Sequence, residues 1–111
     1  MSIGYYQRDF SYICYMQSLK NIKQVLTDLK PELEKKFHVS SIGIFGSAVR
    51  SDFSSHSDID ILVDFNQPIG VAFIDLAILL ELKLKNQVDL VSKKGIKKKY
   101  FSEIESDIIY V

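Results

Sequence analysis

Hydrophobic positions along the chain repeat with two periods, one helical and one strand-like. The first helical segment has apolar residues every three or four positions, the spacing that places them on one face of an α-helix: Leu19, Ile22, Val25, Leu26 and Leu29. Pro31 is expected to end this helix, because proline lacks the amide that continues the hydrogen-bond ladder. The same proline can begin a second short helix over residues 32–37, since a missing amide costs nothing in a first turn.

Beyond this region, short apolar runs bounded by turn residues are typical of β-strands, and longer runs indicate helices. Strands and helices are therefore expected to alternate along the chain. The predicted order is a strand over residues 41–45, a short helix over 48–51, a strand over 58–65, a helix over 71–85, a strand over 87–91, a helix over about 96–105 and a strand over 108–111.

A Gly-Ser pair, Gly46-Ser47, directly follows the first strand. Glycine lets the backbone turn sharply and approach a ligand without a Cβ in the way. If Ser47 opens the short helix, its hydroxyl and the free amides of the first turn form an anion site at the positive end of the peptide dipoles. A triphosphate tail is the natural occupant of such a site.

Aspartates mark the second and third strands. A period of two places Asp58, Asp60 and Asp64 on one face of the second strand, and isoleucine and valine side chains on the other. Asp89 lies in the middle of the third strand, between apolar neighbours. Neighbouring carboxylates repel each other, and a divalent cation relieves the repulsion. Asp58, Asp60 and Asp89, from two adjacent strands, can hold two Mg²⁺ ions about 3.5–4 Å apart, the separation used for in-line displacement at phosphorus.

The Gly-Ser turn and the aspartates are informative because they occur together. A Gly-Ser pair alone is only a turn, and strand ends often expose aspartate to water. Here ten residues separate Ser47 from Asp58, and a third aspartate follows in a later strand. The combination predicts a site of nucleotidyltransferase type, with Asp89 next to the attacking hydroxyl.

These segments together resemble the minimal nucleotidyltransferase (MNT) domain of the DNA polymerase β superfamily. The resemblance is carried by Gly46-Ser47, by Arg50, by the run 57–65 and by the run 88–91. It implies an α+β fold with a small mixed sheet flanked by helices. It also implies magnesium-dependent attack on the α-phosphate of a nucleoside triphosphate, with release of pyrophosphate.

The resemblance assigns a role to each site residue. Asp58 and Asp60 would bind the metal ions and Asp89 would complete the metal site beside the nucleophile. The β- and γ-phosphates would be held by residues of the loop, Gly46, Ser47 and Arg50. Members of the family commonly read Gly-Ser-x-Ala-Arg-Gly, so Arg50 fits this pattern, whereas Val49 and Ser51 replace the alanine and the second glycine.

The size and charge of the chain favour a minimal domain. Its 111 residues, 47% hydrophobic, can build one core but no accessory substrate domain, so substrate selection is expected to come from a partner. Lys+Arg and Asp+Glu are equal at 14 each, which makes direct nucleic-acid binding an unfavoured function. A single cysteine, Cys14, suits a reducing compartment, and no apolar run approaches the length of a membrane span. A cytoplasmic location is expected.

Three segments allow more than one interpretation. Residues 1–15, rich in tyrosine and phenylalanine, form an N-terminal extension before the minimal domain of residues 16–111; they either mediate packing and assembly or form a loosely held tail. The helix over 71–85 is apolar nearly all round, so its second face meets a partner or a second copy, or lies under the N-terminal segment. The lysines at 93, 94 and 97–99 are interpreted as a solvated helix face rather than a nucleotide or RNA site.

The resemblance favours one function and leaves two alternatives. Small domains of this kind are typically antitoxins paired with a HEPN-type ribonuclease toxin, so the leading hypothesis is an ATP-using, Mg²⁺-dependent enzyme that adenylylates a tyrosine of that toxin. The first alternative is a catalytically silent antitoxin that acts by binding alone, which the intact aspartates disfavour. The second is a nucleotidyltransferase of small molecules such as antibiotics, which would need more chain for an acceptor pocket.

Overall fold

The structure, a computed structural model, describes residues 19–49 and 58–111. Arg50 and the predicted N-terminal extension, residues 1–15, lie outside the described residues. Within the described part the chain forms, in order, α1 (Leu19–Phe37), β1 (Val39–Phe45), a 3-10 turn (Gly46–Ala48), β2 (Ile59–Phe65), α2 (Ala72–Leu84), β3 (Val88–Ser92), α3 (Lys98–Ile104), a second 3-10 turn (Glu105–Asp107) and β4 (Ile109–Tyr110).

Helix α1 runs unbroken through Pro31, so the prediction that this proline ends one helix and begins another is wrong. The buried face of α1 continues past the proline at helical spacing; its buried residues are Ile22, Leu26, Leu29 and Leu33. Because Pro31 has no amide, the carbonyl of Thr27 lacks its usual helical donor. Thr27 lies on the exposed side of the helix, where water can replace that donor. Packing of Leu33 on the core therefore outweighs the local cost of the proline.

The four described strands form one mixed sheet in the order β3-β2-β1-β4. β2 is parallel to β3, whereas β1 is antiparallel to both β2 and β4. The end of β1 therefore lies beside the beginnings of β2 and β3: Phe45 is opposite Asp60, and Asp60 is opposite Asp89. The mixed sheet expected for an α+β domain is confirmed, and three strand ends meet at one edge of it.

The hydrophobic core fills one face of this sheet. Side chains from α1 and α2 pack there against β1 and β2, and the central members of the core are Ile22, Leu26, Ile42, Ile44, Ile59, Ile61, Val63, Leu76 and Leu80. Asp60 and Asp64 alternate with Ile59, Ile61 and Val63 along β2 and are half-buried rather than buried. The predicted period of two is therefore confirmed, and Asp60 faces away from the core.

The C-terminal strand packs closely over Gly43 of β1. A Cβ added at Gly43 would lie 2.6 Å from Cγ2 of Ile108 and 3.2 Å from Cδ1 of Tyr110, so only glycine fits there without displacing the last strand. The ammonium group of Lys30 on α1 donates a hydrogen bond of 2.7 Å to the carbonyl oxygen of Val111. These contacts attach the C-terminal segment to both the sheet and α1.

Helix α2 has two apolar faces. Leu76, Leu80 and Leu84 are buried against the core. The opposite face, which we call the outer stripe of α2, exposes Val71 (84%), Ile74, Ile78 and Leu82 (70%). An exposed row of large apolar side chains at helical spacing is typical of a protein contact surface. None of the helices within residues 19–49 and 58–111 is long and apolar enough to cross a membrane.

Candidate active site

Gly46 forms the turn that ends β1, and it lies directly against Asp60. Its φ of +75° is in the left-handed region that glycine adopts at little cost. A Cβ added at Gly46 would overlap Oδ2 of Asp60, so the carboxylate occupies the space that any other side chain would need. The turn is closed by the amide of Val49, which donates to the carbonyl of Gly46 at 3.1 Å. Glycine is therefore required here for both conformation and space.

Asp60 and Asp89 are direct neighbours on the parallel strands β2 and β3. Parallel strands lie about 4.8 Å apart, and residues opposite each other point to the same face. Asp60 is half-buried between β1 and β3, whereas Asp89 is exposed. The sheet therefore brings together two of the three predicted metal ligands, with Gly46 on the other side of Asp60.

Asp58 immediately precedes β2 and is exposed. Carboxylate oxygens are ligands that Mg²⁺ prefers in proteins. Among residues 19–49 and 58–111, however, no three His, Cys, Asp or Glu side chains are grouped as a metal site. The pairing of Asp60 with Asp89 fits a divalent cation in its donor type, and the metal site of Asp58, Asp60 and Asp89 stays a prediction.

The phosphate-binding residues are described only in part. A short helix was predicted over residues 48–51, of which 50 and 51 lie outside the described residues; the described part forms a 3-10 turn, Gly46–Ala48, that begins two residues earlier. Left-handed geometry at Gly46 turns the chain immediately after β1, which accounts for the earlier start. Ser47 lies within this turn, and Arg50 lies outside the described residues, so their roles in phosphate binding stay predictions.

Glu81 is a positioning residue that the sequence analysis missed. Its Oε2 accepts a hydrogen bond of 3.1 Å from the amide of Val88, which joins the last turn of α2 to the beginning of β3, one residue before Asp89. An acidic side chain near the C-terminal end of a helix is electrostatically unfavourable, because the helix dipole is negative there. That unfavourable position was the available signal that Glu81 has a structural partner.

The lysine cluster lies at the opposite end of β3 from Asp89. The amide of Lys93 donates to the carbonyl of Val63 at 2.8 Å, so the cluster begins where β2 and β3 end. Four residues of strand span about 13 Å. Lys93, directly after the end of β3, is therefore too far along the strand to line the space between Asp60 and Asp89. All five lysines of the cluster are exposed, as expected for solvated side chains, but only Lys98 and Lys99 lie on α3. The interpretation of the cluster as a face of the last helix is therefore wrong for Lys93, Lys94 and Lys97, which precede the helix.

Comparison with known proteins identifies the family of the chain. Residues 22–111 match the family model of the nucleotidyltransferase domain. The chain belongs to this family and is an enzyme of the nucleotidyltransferase class. The α+β fold predicted from the sequence is also the fold of its solved neighbours.

Several relatives are similar over nearly their whole length. Protein adenylyltransferase MntA of Thermococcus cleftensis is 41% identical over 97 residues, which are 86% of this chain and 98% of that protein. A chain of the solved toxin-antitoxin complex MntA-HpeT, in a mutant form, is 26% identical with a TM-score of 0.59 over 83% of this chain and 69% of that one. The solved tri-AMPylated Shewanella oneidensis HEPN toxin in complex with MNT antitoxin contains a chain 25% identical, with a TM-score of 0.54 over 83% of this chain and 66% of that one.

Proposed function

We propose that this chain is a Mg²⁺-dependent protein adenylyltransferase that uses ATP to modify a tyrosine of a HEPN-type toxin and thereby acts as its antitoxin. The observation that carries the proposal is the arrangement of Gly46, Asp60 and Asp89 on three adjacent strand ends. Two neighbouring carboxylates suit a divalent cation, which can stabilise the attacking and leaving oxygens of a displacement at phosphorus. The glycine turn beside them lets the backbone approach a phosphate closely. The names of the relatives support AMP as the transferred group and a toxin as the acceptor.

The reaction assigns a separate task to each of these residues. The phenolic oxygen of the acceptor bonds to the α-phosphorus of ATP, the bond from that phosphorus to the bridging oxygen breaks, and pyrophosphate leaves. When bound, Mg²⁺ neutralises charge that develops on the phosphate oxygens. Asp58, Asp60 and Asp89 would hold the metal, and the backbone of the Gly46-Ser47 turn would hold the β- and γ-phosphates. A phenol with a pKa near 10 needs a base at neutral pH, and Asp89 is the group beside it that accepts the proton.

A protein acceptor is also supported by the surface of the domain. The outer stripe of α2 exposes four large apolar side chains in one row, and contiguous exposed apolar surface often marks a site of protein contact. Contact through this stripe would also serve the alternative in which the chain silences its toxin by binding alone. Inhibition by AMP transfer would need the carboxylates of Asp58, Asp60 and Asp89, whereas inhibition by binding alone would not.

One assay separates the proposed function from both alternatives. The purified chain is incubated with Mg²⁺ and ATP labelled at the α-phosphate, with and without the toxin encoded by the neighbouring gene, and the label is located by mass spectrometry. We expect AMP on a tyrosine of the toxin with the wild-type chain and none with Asp60→Asn.

Asp64→Asn is the matched control for this assay. Asp64 lies on the same strand and the same face as Asp60, and its Oδ1 accepts the amide of Phe65 at 3.0 Å, which the oxygen of asparagine can replace. Transfer by Asp64→Asn should equal that of the wild-type chain. A toxin that is inhibited without receiving label would favour action by contact alone, and label on a small molecule would refute the protein acceptor.

A further inference from the structure

Strand β3 is an edge strand in the described part of the sheet, and it carries Asp89. We propose that the acceptor segment of the protein substrate binds along β3 as an added strand, with its hydroxyl-bearing residue directly opposite Asp89. This inference rests on the proposed function and states how the acceptor reaches the site. The basis for the inference is that some backbone groups of β3 are hydrogen-bonded to β2, whereas others point away from the sheet.

The pairing of β3 with β2 uses only the odd-numbered residues of β3. The amide of Ile59 donates to the carbonyl of Gln87 at 2.9 Å, and the amide of Lys93 donates to the carbonyl of Val63 at 2.8 Å. Backbone groups in a strand alternate in direction, so the groups of residue 89 also face β2. The amides and carbonyls of Val88, Leu90 and Ser92 therefore point outward from the sheet.

Most of these outward groups have no partner within the described residues. The carboxylate of Glu81 accepts a hydrogen bond from the amide of Val88. The carbonyl of Ser92 accepts hydrogen bonds from the amides of Gly95 at 3.0 Å and Ile96 at 3.1 Å. The carbonyl of Val88, both groups of Leu90 and the amide of Ser92 remain for another chain. Such a row of backbone groups is a ready template for an extended peptide.

The order of the strands matches the order of the reacting groups. Across the sheet, β1 ends in the Gly46 turn, β2 carries Asp60, β3 carries Asp89, and the added strand would come next. In-line displacement needs the leaving pyrophosphate and the attacking hydroxyl on opposite sides of the α-phosphorus. Pyrophosphate beside β1 and the acceptor beside β3 satisfy that requirement.

The structure also indicates the chemistry of the acceptor segment. A residue opposite Asp89 points to the same face, with Cβ atoms about 4.5–5.5 Å apart, which brings its side-chain hydroxyl to the carboxylate. Toward the other end of β3 the segment would reach Lys93 and Lys94, which are both exposed. We therefore expect an extended acceptor segment with a tyrosine at one end and acidic side chains four to six positions away, since the opposite charges attract.

Amide hydrogen exchange tests this binding mode on the wild-type chain. The ¹⁵N-labelled chain is mixed with the unmodified toxin in the presence of Mg²⁺ but without ATP, so that a complex forms and no transfer occurs. Exchange of the Leu90 and Ser92 amides should slow by about tenfold or more in the complex, because each gains a hydrogen bond. The Val88 amide, which is bonded to Glu81 in the free chain, serves as the internal control. Unchanged exchange at Leu90 in a saturated complex would overturn the proposal.

A backbone variant tests the same point through kinetics. Leu90→Pro removes the outward amide, and Leu90→Val keeps that amide while also shortening the side chain. If the acceptor pairs with β3, the KM for the toxin should be about tenfold higher in Leu90→Pro than in Leu90→Val, as expected for the loss of one backbone hydrogen bond. Thermal unfolding and ATP titration identify a variant that has failed to fold, in which case the exchange measurement decides.

The two proposals fail in different ways. Transfer of AMP to the toxin, with no protection of Leu90 and equal KM values in two folded variants, would refute strand addition and leave the proposed function in place. Protection of Leu90 with no AMP on the toxin would refute the proposed function and leave β3 as a docking edge.

Discussion

Replacing Gly46 by alanine should separate catalysis from stability. At a φ of +75°, a residue with a Cβ destabilises the folded state by about 1–2 kcal/mol through backbone strain. Alanine also lowers the conformational entropy of the unfolded chain, which offsets about 0.4–1 kcal/mol of that loss. The net loss in the free energy of unfolding is therefore about 1 kcal/mol, which lowers the Tm of a domain of this size by roughly 4–8 °C. In addition, the new Cβ would overlap Oδ2 of Asp60 and displace that carboxylate. A displacement of about 1 Å at a reacting group costs about 10²-fold in rate.

Gly70→Ala is the matched control for this variant. Gly70 also has a positive φ, +56°, but a Cβ added there meets nothing within 4 Å. Both variants should show the stability loss that comes from backbone strain in urea or thermal unfolding, and any further loss in Gly46→Ala comes from the displacement of Asp60. Only Gly46→Ala should lose AMP transfer. Transfer at the wild-type rate by Gly46→Ala would refute the role of Asp60 beside this turn. Equal loss of transfer in both variants would show that stability, not geometry, limits the activity.

Five further substitutions test the site, the sheet and the contact surface. Asp58→Asn, Asp60→Asn and Asp89→Asn should each abolish transfer, and full activity in any of them would show that residue to be misassigned. In Asp89→Asn the Tm should stay equal or rise slightly, because a negative charge beside that of Asp60 is removed. Gly43→Val should lower the free energy of unfolding by about 1–3 kcal/mol, because its side chain displaces the C-terminal strand, and an unchanged urea midpoint would contradict that packing. Ile78→Asp should leave the Tm nearly unchanged, since the side chain is about half exposed, but should weaken the complex with the toxin in a calorimetric titration; unchanged affinity would exclude the outer stripe of α2 from the interface.

Local periodicity in the sequence predicted most of the elements. The helices and strands after residue 37 appear in the predicted order, with ends that differ by one or two residues at most positions. This agreement is expected, because hydrophobic spacing records which face of an element is buried. The prediction for Pro31 was wrong because the sequence shows only the local effect of a proline on the helix. The burial of Leu33, which outweighs that effect, depends on packing against the rest of the fold.

Candidate site residues could be named from the sequence, but their arrangement could not. Gly46 and Asp60 are recognisable from the sequence, but their contact depends on the antiparallel register of β1 and β2. The pairing of Asp60 with Asp89 likewise depends on how α2 returns the chain to β3, and Glu81 is part of that return. Such long-range register has no local signature, because shifting a strand by two residues preserves its alternation.

The position of the site along the chain has a consequence for folding order. Gly46 directly follows β1, and Asp60 and Asp89 lie on the next two strands along the chain, β2 and β3, whereas β4 pairs with β1 across most of the length of the chain. Short loops close at a lower entropic cost than long ones, so the β1-β2-β3 unit is expected to form early and β4 to dock last. The late strand is also only two residues long, which makes its detachment an opening of low free energy. Transient release of the C-terminal strand would then expose the edge of β1. The register of β1, β2 and β3, which positions Gly46, Asp60 and Asp89, would stay intact.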